Sequence, residues 1–304
     1  MKRYLIITAD DFGFSKERNA GVVQAFNHGA VKSASLLLNC TGTEEGAKIF
    51  QSSSICHGLH LNLTEGLPIS SENFKTLTDS TGIFHGMINT PKLLDEGYID
   101  KEEIRQEIDS QIDRYIELVG SAPVYVDGHQ HIHLHPKVVD IFCDALKRHN
   151  IQVTRFPNEV NMESKSWVNP EYMPFFSVLI EQITNVRVVL DNYGIRTTDC
   201  FAGLSTMGKD MTVERLQKVI LEAFQEAEKR TLLSPQDKEF TSCELMTHPG
   251  HPTDPNFGGF SWGSDEFGLS SDRVYEIKIL SSPEMKEFYK ANNIELVSHN
   301  VLCS

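Results

Sequence analysis

Side chains able to bind a cation or move a proton gather in five stretches of the chain: Asp10-Asp11, His60, Asp127 through His135, Arg155, and His248. Adjacent carboxylates such as Asp10 and Asp11 repel, and burying them needs a cation or hydrogen bonds in compensation. One can ligate while its neighbour handles protons; for an isolated pair, a helix cap or loop ahead of Ser15 is the structural alternative. In Asp127-Gly128-His129-Gln130-His131-Ile132-His133-Leu134-His135, four of the 12 histidines fall within seven residues. They cannot all bind one ion, and capping or hydrogen bonding to the ligands occupies at least two of them. One carboxylate oxygen with two imidazole nitrogens makes a three-point site open to water and substrate, as a catalytic metal requires. That donor set suits Zn²⁺, Mn²⁺, Co²⁺ or Fe²⁺ better than Mg²⁺. Such an ion polarises a carbonyl and acidifies its bound water.

His248-Pro249-Gly250-His251 opens a Gly-rich loop, and an imidazole there can protonate a leaving amine; a structural histidine before a Pro-constrained turn is the alternative. Arg155 either orients the carboxylates, binds substrate, or forms a structural ion pair. Trp262 and the aromatics of 257–267 either stack on a sugar face or anchor their own loop.

Positioning these groups falls to short apolar runs that alternate with amphipathic helical patterns. Strands are expected at 4–8, 33–39, 56–63, 124–127, 152–156, 186–190, 244–247 and 294–298. Helices are expected at 16–28, 43–50, 100–119, 136–149, 175–183, 212–229 and 283–292. Leu59, Leu61 and Leu63 share one face of their strand and His60 takes the other. This alternation predicts an α/β fold, a (β/α) barrel-like, distorted TIM-type architecture with mostly parallel strands. It reads as a single domain, 1–304, with loop insertions at 65–97 and 250–271. In such a fold the residues just after the strands converge on one face, where nearly every confident strand end here carries a ligating or proton-transferring group.

A net charge of -14 leaves no basic stripe for a nucleic-acid backbone. The six cysteines form no C-x-x-C pair and read as free thiols. The first apolar run is too short for a signal segment, and no stretch reads as a membrane span, so a cytoplasmic protein without a membrane partner is expected.

Thr-Ala-Asp-Asp-Phe-Gly at 8–13, Gly-Leu-His-Leu-Asn-Leu-Thr at 58–64, Asp-Gly-His-Gln-His-Ile-His at 127–133, Arg155 and Thr-His-Pro-Gly at 247–250 together resemble the YdjC-like carbohydrate deacetylases, which include the chitooligosaccharide deacetylases. The resemblance implies a divalent metal, usually Mg²⁺ with Zn²⁺ also considered, held by Asp11, His60 and His129. It implies Asp10 as general base and His248 as general acid in releasing acetate from a small N-acetylated sugar. Related proteins are often dimers, which makes a homodimer one expectation. Gln130 stands where some relatives have histidine, and the segment 158–205 departs from the pattern. A metal-dependent phosphoesterase or another amidohydrolase would use the same Asp/His set. A non-catalytic sugar-binding barrel would not need both Asp10 and His248.

Overall fold

Strand β1 (Lys2–Phe12) is buried on both faces, with Leu5, Ile6, Ile7 and Ala9 fully inaccessible, as befits the centre of a parallel sheet covered on both sides. The computed structural model describes residues 2–233, 239–260 and 266–303. After β1 the chain forms α1 (Lys16–Asn27), β2 (Ser33–Leu36), α2 (Thr43–Ser52), β3 (Cys56–Leu61), α3 (Gly86–Asp95), α4 (Lys101–Val119), β4 (Tyr125–Gly128) and α5 (Val139–Arg148). It continues through α6 (Met173–Tyr193), β5 (Cys200–Ala202), α7 (Val213–Leu233), β6 (Phe240–Thr247), α8 (Glu266–Leu269), α9 (Asp272–Leu280), α10 (Pro283–Ala291) and β7 (Ile294–Val297).

The strands form one parallel sheet in the order β4-β3-β2-β1-β6-β5, with β7 pairing the first half of β1. The sheet curls into a half-barrel surrounded by helices. Beyond β4 its wall continues as isolated bridges, Val126 with Thr154, Val153 with Arg196, and Glu159 with Phe201. The strand expected at 152–156 is reduced to those bridges.

Helix α4 shows how the outer layer is held. Asp100 caps its first turn, and Gly120 ends it at φ 85°, a left-handed conformation that glycine adopts without a Cβ penalty. Ile104, Ile108, Ile112 and Tyr115 recur on one face and are buried. Each such side chain contributes roughly 1.5–3 kcal/mol of transfer free energy.

One expectation fails in the second half. Residues 186–190 hold three β-branched valines and read as a strand, yet they complete α6. Phe176, Leu179, Ile183, Val186 and Leu190 make a buried stripe at helical spacing, so packing overrides local propensity. The stretch Pro170–Tyr193 is long and apolar enough by composition to cross a membrane, a test that a core helix also passes. It lies along the molecule with that stripe in the core. Strand β5 and helix α9 were not foreseen, and α3 lies inside the insertion at 65–97. Trp262 falls outside the described residues.

Candidate active site

A break in β1 creates the site. Its register with β2 shifts between Ala9 and Phe12, and Asp11 adopts φ 57°. Consecutive strand residues normally point to opposite faces. A bulge with one left-handed residue re-aims them, and both carboxylates turn to the mouth of the half-barrel. Asp10 and Asp11 are 2% and 3% exposed.

Asp11 Oδ1 lies 3.5 Å from His60 Nε2 and 3.4 Å from His129 Nδ1, so groups from β1, β3 and the turn after β4 converge. Asp11 Oδ1 is buried and has no hydrogen-bond partner of acceptable geometry. Two donors bound at roughly 2.1 Å to one ion at a tetrahedral angle stand about 3.4 Å apart, so the spacing suits a shared cation better than direct hydrogen bonds. Three oxygen and nitrogen donors around an orphaned buried oxygen therefore fit a divalent metal.

The outward nitrogens of both rings are held. His60 Nδ1 is 2.7 Å from Asp127 Oδ1, and Ser35 Oγ donates to Asp127 Oδ2 at 2.9 Å. His129 Nε2 is 2.7 Å from Glu65 Oε2, which also accepts from Gln130. Each carboxylate fixes the tautomer, so that the other nitrogen presents its lone pair to the centre. Burial opposes ionisation of Asp11, but the imidazoles of His129 and His60 hold it well below the usual carboxylate range. Glu65 belongs to the 65–97 insertion and was not singled out by its sequence.

Behind Asp10 lies Arg155, fully buried. Nη1 and Nη2 donate to the two Asp10 oxygens at 2.5 and 2.6 Å, Nη2 also meets Asp127 Oδ2 at 2.9 Å, and Nε donates to Glu244 Oε1 at 3.0 Å. Of the roles open to it, orientation of the carboxylates fits. A substrate contact does not, because three carboxylates surround a guanidinium with no exposed surface. Asp10, His60 and Asp127 also approach one another closely enough for a metal, but the Arg155 charge already occupies their surroundings. Burial raises Asp10 to about 6 against the pull of Arg155.

His248 follows β6 and faces Asp10, with Nε2 4.0 Å from Asp10 Oδ2. Its backbone N–H donates to Glu276 Oε2 on α9 at 2.6 Å, and its carbonyl accepts from Arg18 Nη1 at 3.1 Å. Phe267 meets its ring edge-on at 5.5 Å. A Cβ at Gly21 would collide with the backbone of Gly250, so the close approach of α1 to this loop requires glycine. Burial holds His248 well below its ordinary pKa, aided by Arg273 and Arg18. It is therefore neutral at rest, not poised at the unperturbed value.

His131 and His133 are buried beside this centre, outside the group of converging donors. A Cβ at Gly128 would strike the His133 ring, which explains the glycine within the histidine run. Phe260 packs at 5.7 Å from the His129 ring and Phe257 is 75% exposed, so that loop both anchors itself and presents an aromatic outward.

A family model described as YdjC-like protein matches residues 4–291. The chain is 34% identical to a carbohydrate deacetylase of Xenopus laevis, covering 96% of each. It is 26% identical to one from Clostridium beijerinckii, over 97% of this chain and 98% of that one. A chitooligosaccharide deacetylase of Escherichia fergusonii is 35% identical over 46% of this chain and 54% of its own. A solved structure from Enterococcus faecalis V583, named for cellobiose-phosphate cleavage, shares the fold at TM-score 0.71 and 22% identity, over 99% of both chains.

Proposed function

Because the chain belongs to the YdjC-like protein family, we propose that it is a carbohydrate N-deacetylase acting as one catalytic domain, 1–304. Asp11, His60 and His129 hold a divalent metal, Asp10 is the general base and His248 the general acid. The substrate is an N-acetylated amino sugar of the chitooligosaccharide type, which is hydrolysed to acetate and a free amine. The names borne by the relatives support this class. The observation that carries the reading is the meeting of Asp11 Oδ1 with two imidazole nitrogens at 3.4 and 3.5 Å, beside a carboxylate clamped by Arg155. Mg²⁺ follows from the resemblance, whereas the donor set itself suits Zn²⁺ better.

When bound, the ion supplies Lewis-acid polarisation of the acetamide carbonyl and lowers the pKa of its water. Arg155 fixes both oxygens of Asp10 while leaving each a further lone pair to accept a proton. A carboxylate raised to about 6 is a stronger base than a free one and still ionised at neutrality. His248, neutral at rest, must gain a proton before the amine departs, since an amide anion is a very poor leaving group. Asp10 Oδ2, 4.0 Å away, is the adjacent source of the proton taken from water. Water thus contributes hydroxide to the acetyl carbon and its proton to the sugar amine.

The test is incubation of metal-loaded protein with N,N′-diacetylchitobiose, reading acetate and loss of acetyl mass, alongside phosphate release from phosphorylated sugars. Acetate release abolished by chelation is the expected result. Phosphate release without acetate would assign the site to phosphoester hydrolysis instead.

A further inference from the structure

We infer that a second ligand site, for a phosphate-type oxyanion, lies outside the sheet between α6 and α7. A cleft of about 490 Å³ opens there, lined by Phe156, Asn158, Arg187, Thr198, Asp199 and Arg230 among others. That volume suits a phosphate carrying a substituent no larger than a monosaccharide. The cleft sits where the wall is irregular: Val153 pairs with Arg196 and Glu159 with Phe201, and residues 156–158 and 197–199 line the gap between these bridges.

Three residues of its lining carry donors. Thr198 is 5% exposed and its Oγ1 has no hydrogen-bond partner. A buried hydroxyl left unpaired is costly unless a ligand or water meets it. Arg187 lies over the Phe156 ring at 5.4 Å, with Nε on Asp191 at 3.0 Å and Nη1 on Thr197 Oγ1 at 3.1 Å. Its orientation is therefore set, and among the described residues its Nη2 donates to none. Arg230 gives Nη2 to the Asp199 carbonyl at 3.0 Å and lines the cleft.

Two carboxylates stand nearby. Asp191 is paired with Arg187, and Asp199 Oδ2 is turned to the Ser242 N–H and hydroxyl at 2.9 and 2.8 Å. The two guanidiniums are matched in number by these two carboxylates, and each keeps N–H donors that neither carboxylate takes up. The planar fork of arginine matches the oxygens of a phosphate better than a neutral hydroxyl. The cleft is separate from the catalytic mouth. Ser242 lies near the start of β6 whereas His248 follows its end, and successive residues Arg155 and Phe156 face opposite sides of the wall.

Calorimetric titration of the metal-loaded protein with inorganic phosphate and with glucose 6-phosphate, at constant ionic strength set by chloride, tests this, with glucose as control. Saturable binding of both phosphates and none of glucose is expected. Arg230→Gln and Thr198→Val should each weaken it about tenfold, and His248→Ala should leave it unchanged. If the ester binds the tighter, the natural occupant is a phosphorylated metabolite; if not, it is free phosphate. Absence of saturable binding overturns the inference, as does binding that survives both cleft variants and disappears on chelation, which would put the anion on the catalytic metal. Neither result touches the acetate assay, so the deacetylase reading stands or falls separately.

Discussion

As the proposed base, Asp10 meets two opposed demands: it must be ionised, yet burial beside Asp127 disfavours charge. Arg155 reconciles them by pairing with both carboxylates. Asp10→Asn keeps the shape and an acceptor for Arg155 but removes the basic lone pair. It should lower kcat by roughly 10²–10⁴-fold with metal content nearly intact; near-normal turnover in a fully loaded variant would reassign the base. Glu65 makes a different claim, since it reaches the proposed metal site only through His129. Glu65→Gln should weaken metal affinity by about 10–100-fold, while activity at saturating metal returns close to wild type. A kcat loss that persists at saturating metal would instead place Glu65 on the substrate.

Helix α4 explains why a carboxylate from an insertion reaches the centre at all. On the edge of its buried stripe, Glu103, Glu107 and Gln111 stand one turn apart and grip the insertion by its backbone. Glu103 accepts the N–H groups of Lys75, Thr76 and Leu77, Glu107 accepts those of Ile69 and Ser70, and Gln111 exchanges two hydrogen bonds with Asn62. Asn62 in turn accepts from the N–H of Glu65 and donates to its carbonyl. Burial raises Glu107 to about 7, opposed by those N–H groups. Between an unfolded value near 4.3 and about 7 the native state holds a proton that the unfolded chain has released, so stability falls as pH rises through this window. Urea unfolding at pH 5 and pH 7.5 should show a decline in wild type, of up to roughly 3 kcal/mol from this group, that Glu107→Gln lacks. Equal declines in both would refute the assignment. The sequence shows the apolar stripe of α4 by its period, but its polar ladder looks like an ordinary solvated edge. Strand ends bearing Asp10, His60, Asp127 and His248 were legible because apolar runs stop there. Glu65 was not, since its partner lies 64 positions away and no local period links them. Strand β5, three residues long, is too short to show an alternation, and 186–190 is as apolar as a strand although the rest of α6 decides its conformation.

Across the whole molecule, the proposed metal donors Asp11, His60 and His129 come from β1, β3 and the turn beyond β4, so an ion there would cross-link segments that an unfolded chain holds apart. Binding to the native state alone stabilises it by about 2.7 kcal/mol at a hundred times Kd, and chelation should lower Tm accordingly. The size of that loss should depend on pH. Burial alone lowers His60, but the carboxylates of Asp127, Asp11 and Asp10 lift it to about 10 in the metal-free protein. Burial likewise lowers His129, yet Asp11 and Glu65 carry it to about 9. Below those values the rings hold protons that an ion must displace, so apparent metal affinity rises with pH. The metal-free state gains stability from the same protonated rings, fully below the unfolded value near 6.5 and progressively less as pH climbs through 9 and 10. The two are one linkage seen from either side: the Tm gap between metal-loaded and chelated protein should widen from pH 6.5 to 8.5. Asp11→Asn, lacking the charged oxygen at the centre, should show little gap at either pH. A gap that narrows with pH, or that persists undiminished in Asp11→Asn, would mean that the ion binds elsewhere.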